Sequence, residues 1–209
     1  MSYIENIYIC LAAPLLLAIL LLRAEGRRSL LFVVAGMTAC LLSAYVSSFA
    51  AGIAGLDLSR ASYEISPVME EIMKFLPVLF CILVFDADRG IAVRGSLLIA
   101  VGFATFENVC FLTSYGSEDL FRLVIRGFGS GAMHVTCGMI MALGLFFLWD
   151  HVWLRAVGGF ALLCVVIRFH GIFNMLVDQS GPVFWIGSSI PLIVILLYRL
   201  FFHDRVRAS

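Results

Sequence analysis

Seven runs of mainly apolar residues, joined by short polar connectors, take up almost the whole chain: residues 4–22, 29–54, 66–85, 95–115, 127–148, 153–177 and 182–202. A helix needs about 20 such residues to cross a bilayer. The runs therefore predict an all-α, polytopic membrane helix bundle of about seven spans, forming one integral-membrane domain over residues 1–209. Charged residues make up 13% of the chain, against about 25% in a soluble domain. Lysine plus arginine (14) balances aspartate plus glutamate (14), so no net charge argues for a nucleic-acid partner.

The first run is expected to stay as a span. It has no positive segment before it, no small-x-small cleavage site, and its basic cluster (Arg23, Arg27, Arg28) follows it. Cysteines stand at positions 10, 40, 81, 110, 137 and 164, roughly one per span and never as C-x-x-C. They read as small apolar packing residues, with neither a disulfide framework nor a zinc-thiolate site.

Basic residues orient the bundle. Arg23, Arg27, Arg28, Arg89, Arg94, Arg155, Arg199, Arg205 and Arg207 fall on one side, and only Arg60, Arg122 and Arg126 on the other. The expected topology has the N-terminus outside and the C-terminus cytoplasmic. Lys74 and Arg168 fall inside spans, and Arg168 is expected to find a structural carboxylate partner, since about 200° of helical turn separates it from His170.

Span three carries charge in its apolar run: Glu70, Glu71 and Lys74. An ionisable residue at bilayer depth is costly and marks a functional site by default. Lys74 stands i,i+4 from Glu70 and i,i+3 from Glu71, so its ammonium can reach either carboxylate. Other spans supply groups at the same level. Glu107 lies late in span four, His134 early in span five, and His170 with Asn174 late in span six. At about 1.5 Å per residue all of them fall in the outer half of the bilayer, roughly 5–15 Å below its surface.

Two carboxylates, two imidazoles and a carboxamide at one depth are parts for activating water against a carbonyl. A buried glutamate can serve as general base and then general acid. An imidazole and an amide can donate to the developing oxyanion, and His170 and Asn174, at i,i+4, share a helix face. Taken singly, each has a bland reading. A membrane histidine can bond a neighbouring helix, Glu107-Asn108 can clamp two spans, Asn174 can pin one helix to another, and Glu70 can simply neutralise Lys74. A rhomboid-like site would need G-x-S-G, but residues 128–131 read Phe-Gly-Ser-Gly, leaving a weak Ser130–His170 dyad. The glycines at 127, 129 and 131 more simply let span five approach a neighbour or start late. A transporter or proton relay could use the same groups, although no inverted repeat is visible. A non-catalytic protein that binds a membrane partner is the remaining reading.

Glu70-Glu71-x-x-Lys74, Phe106-Glu107, His134 and His170-x-x-x-Asn174, in this order and placement, resemble the PrsW family of intramembrane proteases, in the wider CAAX-protease and bacteriocin-immunity group. The resemblance covers spans three to six, residues 66–177, the expected catalytic core. It implies cleavage of a single-pass membrane protein, such as an anti-sigma factor, on the extracytoplasmic side of a bacterial cell membrane. It further implies essential roles for Glu70 and Glu71, one of them the base, with His134 assisting and His170 and Asn174 forming the oxyanion site. The family's second motif often reads F-E-x-x-x-Y; here that position is Phe111, and Tyr115 is one turn further on.

Two histidines and a carboxylate (Glu71, His134, His170) suffice for a catalytic zinc with an open position. The absence of H-E-x-x-H and the ammonium of Lys74 beside the glutamates favour a glutamate mechanism without cofactor, with zinc as the alternative.

Overall fold

A computed structural model describes residues 4–115 and 120–201, leaving aside the side chains of Tyr115, Arg122 and Phe201. The readings placed on Tyr115, Arg122, Arg205 and Arg207 thus lie outside the described residues. The described chain is all helix: α1 (Ile4–Leu21), α2 (Ala24–Ala54), α3 (Leu58–Glu64), α4 (Ser66–Val84), α5 (Arg89–Tyr115), α6 (Leu120–Leu148), α7 (Val152–Val177) and α8 (Pro182–Phe201). Six of these, all but α3 and α4, are long and apolar enough to cross a membrane. The expected third span corresponds to α4, a 19-residue helix about as long as the bilayer core is thick. Its three charges, Glu70, Glu71 and Lys74, set it apart from the six. The expected orientation depends on whether α4 crosses.

Several boundaries differ from the expected spans. Helix α2 starts at Ala24, α5 at Arg89 and α6 at Leu120, because charged residues at a span's end extend the helix into the interface instead of stopping it. The connector 55–65 contains α3, started by Asp57, whose carboxylate accepts from the Arg60 N–H at 2.8 Å. The six cysteines are all free, as expected. Arg168 sits on the exposed face of α7, and no carboxylate among the described residues pairs with it.

Helix α5 is the centre of the bundle, packed by α2 on one side, α6 on another, and by α4. Its crossing with α2 is backbone on backbone. A Cβ at Gly36 would lie 2.1 Å from the Ile99 carbonyl oxygen, and one at Gly102 would lie 2.0 Å from that of Val33. The crossing buries Phe103 and Phe106 completely, against Met37 and Cys40. Phe103 forms the wall behind His134 and Lys74, and Glu107 follows Phe106 directly in sequence. By contrast, the glycines at 127, 129 and 131 make no approach closer than ordinary contact; span five begins earlier instead.

Gly102→Ala must part α2 from α5, and is expected to cost about 1–3 kcal/mol, read as a lower thermal midpoint of the detergent-solubilised protein. Gly52→Ala, whose Cβ would meet nothing within 4 Å, serves as the unaffected control. If α4 crosses the membrane, cysteines placed at Ser59 and Asp88 label from opposite sides with a membrane-impermeant maleimide. Labelling from the same side would leave six crossings.

Candidate active site

The polar groups expected at one depth, Asn174 apart, do meet, contributed by α4, α5, α6 and α7. Of the two carboxylates open to Lys74, the helix gives it Glu71: Nζ donates to Oε1 at 2.6 Å, with both side chains buried. Glu70, one residue earlier, is turned by about 100° and takes no part in that pair. Its Oε2 is buried and has no hydrogen-bond partner.

His170, fully buried on α7, lies between the two glutamates. Its Nδ1 is 2.7 Å from Glu71 Oε1, and its Nε2 is 3.7 Å from Glu70 Oε2. A carboxylate only accepts, so the partners assign the hydrogen to Nδ1 and leave a lone pair on Nε2. That lone pair faces the unpartnered oxygen of Glu70. His134, fully buried on α6, carries Lys74 Nζ 3.0 Å from Nδ1 and Glu107 Oε2 2.9 Å from Nε2. An ammonium only donates, so here Nδ1 accepts and Nε2 carries the hydrogen. The two rings meet edge to face with centroids 5.0 Å apart, and Phe103 covers both His134 and the Lys74 ammonium.

Glu107, on α5, closes the chain toward the half-exposed side. It also accepts from Ser130 Oγ at 2.9 Å and from Arg126 Nη2 at 3.3 Å. Arg126 lies over the ring of Phe111, the position where the resembling family often has tyrosine. Asn108 does clamp two spans, donating to the Gly127 carbonyl at 3.4 Å.

Sequence reasoning thus brought Glu70, Glu71, Lys74, Glu107, His134 and His170 to one cluster. Asn174, expected beside His170 as an oxyanion donor, gives its amide to the Ser62 carbonyl at 2.8 Å. Ser130 bonds Glu107 while the His170 nitrogens face the glutamates, so the Ser130–His170 dyad does not form. The contacts of Ser130 and Arg126 with Glu107 were missed. Their signal was present: positions 126, 130 and 134 recur every four residues and mark one stripe of α6.

Among the described residues, the group that could hold a metal ion is Glu70, His134 and His170, whose ligand atoms all lie within 4.8 Å of one another. This group differs from the expected set, which used Glu71, a residue whose Oε1 meets Lys74 and His170. The residues fit an ion on two grounds. Glu70 Oε2 and His170 Nε2 are acceptors facing each other, and both histidines have a carboxylate on a ring nitrogen, the usual outer support of a ligand imidazole. His134 enters the set only by exchanging one of its two contacts.

Compared with known proteins, residues 15–202 match the family described as PrsW family intramembrane metalloprotease. No curated protein and no solved structure matches the chain.

Lys74→Met strands the buried carboxylate of Glu71, and a loss of about 3–5 kcal/mol is expected, measured by thermal unfolding. Adding Glu71→Gln should recover most of it; an equal loss in the double variant would mean that the pair is not what the fold depends on.

Proposed function

The chain belongs to the PrsW family of intramembrane metalloproteases, and from that premise we propose that it hydrolyses a peptide bond of a membrane-anchored protein with the cluster on α4 to α7. The observation that carries the reading is His170 Nε2, buried and 3.7 Å from the unpartnered Oε2 of Glu70. With its hydrogen on Nδ1, His170 offers Glu70 no donor, so the two need a proton or a cation between them, and the nearby His134 makes the place suit a cation. Glu70, His134 and His170 would hold a divalent ion such as zinc. When bound, the ion would supply Lewis acidity, polarising the scissile carbonyl and making water more acidic.

The chain's own residues do the rest. Glu71 and Glu107 fix the aim and the tautomer of His170 and His134. Phe103, fully buried, lies against His134 and Lys74 and keeps bulk water from that side. Glu71, outside the ligand set, takes the proton of the attacking water and returns it to the leaving amine. Lys74 balances the charge of Glu71 before that transfer. The basic residues argue that the cluster lies in the outer half of the bilayer, which supports a cut on the extracytoplasmic side. By the family resemblance the substrate is a single-pass protein such as an anti-sigma factor in a bacterial cell membrane.

Lys74 supports a second reading, without metal. Its ammonium lies within hydrogen-bond distance of both Glu71 Oε1 and His134 Nδ1, where it serves as the cluster's own cation. Metal analysis of the purified native protein separates the two. The first reading expects about one bound divalent ion, abolished by Glu70→Gln and retained by Glu71→Gln at saturating metal. It also expects new N-termini just outside the transmembrane helix of a single-pass protein, in cells making the native protein and absent with either variant. Cleavage without bound metal, unaffected by chelators, would move the metal-free reading ahead. Indistinguishable termini from folded native and variant proteins would sink the protease reading.

A further inference from the structure

Helix α3 runs into α4 through one residue. Ile65 is the C-cap of α3 and the N-cap of α4, with Pro67 in the first turn of α4. Proline has no N–H to offer the Tyr63 carbonyl, and the turn at Ile65 interrupts the ladder. The carbonyls of Ser62 and Tyr63 therefore lie at an open helix end, where partners must come from elsewhere. Both meet α7. The Asn174 amide donates to Ser62 at 2.8 Å, and the Tyr63 oxygen lies so close to Gly171 that a Cβ there would stand 2.9 Å from it. A turn beyond, Ser59 Oγ donates to Asp178 Oδ2 at 3.0 Å.

These residues share one side of α7 with His170. At about 100° per residue, positions 170, 171, 174 and 178 fall within an arc of roughly 100°. One helix side thus reads two consecutive elements: α4 through His170 on the glutamates, and α3 through Gly171, Asn174 and Asp178. No flexible linker separates them, so a displacement of α3 is passed to the first turns of α4, where Glu70 and Glu71 stand.

We infer that Asn174 is a positioning residue: with Gly171 and Asp178 it clamps α3 onto α7, and through the joint at Ile65 sets where Glu70 and Glu71 meet His170. The clamp itself stands on geometry alone; its effect on chemistry rests on the proteolytic reading above. Asn174 then acts through backbone placement, and not as a donor to the reacting carbonyl.

The test uses the full chain in lipid nanodiscs. Asn174→Ala is expected to speed amide hydrogen exchange across residues 58–71 by roughly 3- to 10-fold, the range for one lost hydrogen bond. It should also weaken zinc binding and lower kcat more than it raises KM. Next, Ser59→Cys and Asp178→Cys are bridged by a short bifunctional thiol reagent, in a background with the exposed Cys10 and Cys164 changed to serine. In otherwise native protein the bridge should form and leave activity unchanged. In Asn174→Ala it should restore slow exchange, zinc affinity and cleavage together, since the tether replaces the clamp. Failure of the bridge to form, unchanged exchange in Asn174→Ala, or a tether that restores exchange but neither zinc binding nor cleavage would each overturn the inference. Should the native protein neither bind zinc nor cleave, the proteolytic reading fails, while exchange and bridging still decide the clamp.

Discussion

The ammonium of Lys74 is the charge on which the arrangement depends. Bringing an ion out of water costs several kcal/mol unless partners replace its hydration. Here Glu71 and His134 do so at 2.6 and 3.0 Å, with the Phe103 ring beneath. Neither partner is free to serve Lys74 alone. Glu71 also holds His170, and His134 also holds Glu107, which is held in turn by Ser130 and Arg126. The outcome is one connected path of hydrogen bonds from the half-exposed Arg126 to the buried His170, with four helices as its supports. Breaking any link leaves a buried polar group stranded, which is why a network of this kind favours a single arrangement of its helices.

Such a network needs rigid distances, and backbone packing supplies them. Where Gly36 and Gly102 let α2 and α5 touch main chain to main chain, neither helix can slide without collision. In a bilayer, close packing of this sort stands in for the hydrophobic drive that lipid removes. The crossing lies about two turns below Glu107 and holds Phe103 and Phe106 against α2. The same contact thus sets the height of Glu107 and dries the wall behind Lys74.

The membrane class, the helical fold and the meeting of six polar side chains were legible in the sequence, because lipid makes charge expensive and so makes it conspicuous. Glu70, Glu71, Lys74, Glu107, His134 and His170 stand out against apolar runs, and the rise per residue places them at one level. Finer choices were not legible. Spacing allowed Lys74 to reach Glu70 or Glu71, and only the packing of α7 against α4, which gives Glu71 a second partner in His170, decides it. Asn174 looked like a companion of His170 because they share a face, yet the carbonyl it meets belongs to α3, a helix hidden in a connector too short for apolar periodicity to reveal. The four-residue stripe of Arg126, Ser130 and His134 was readable, but the expected helix start at 127 cut it in two.

The consecutive glutamates gain a physical reason from this geometry. Adjacent residues on a helix point about 100° apart, so one ammonium cannot serve both carboxylates equally. The pair must divide. Glu71 takes the cation and one nitrogen of His170, becoming the anchor. Glu70 is carried to the other nitrogen, outside the Lys74 ion pair and with no donor on Oε2. A single glutamate could hold one nitrogen of His170 or face the other, but not both, and a spacing of three or four would put both on the same side of α4 and before the same partner. Adjacent placement is therefore what lets one imidazole be fixed at one nitrogen while the other faces a carboxylate still in need of a partner.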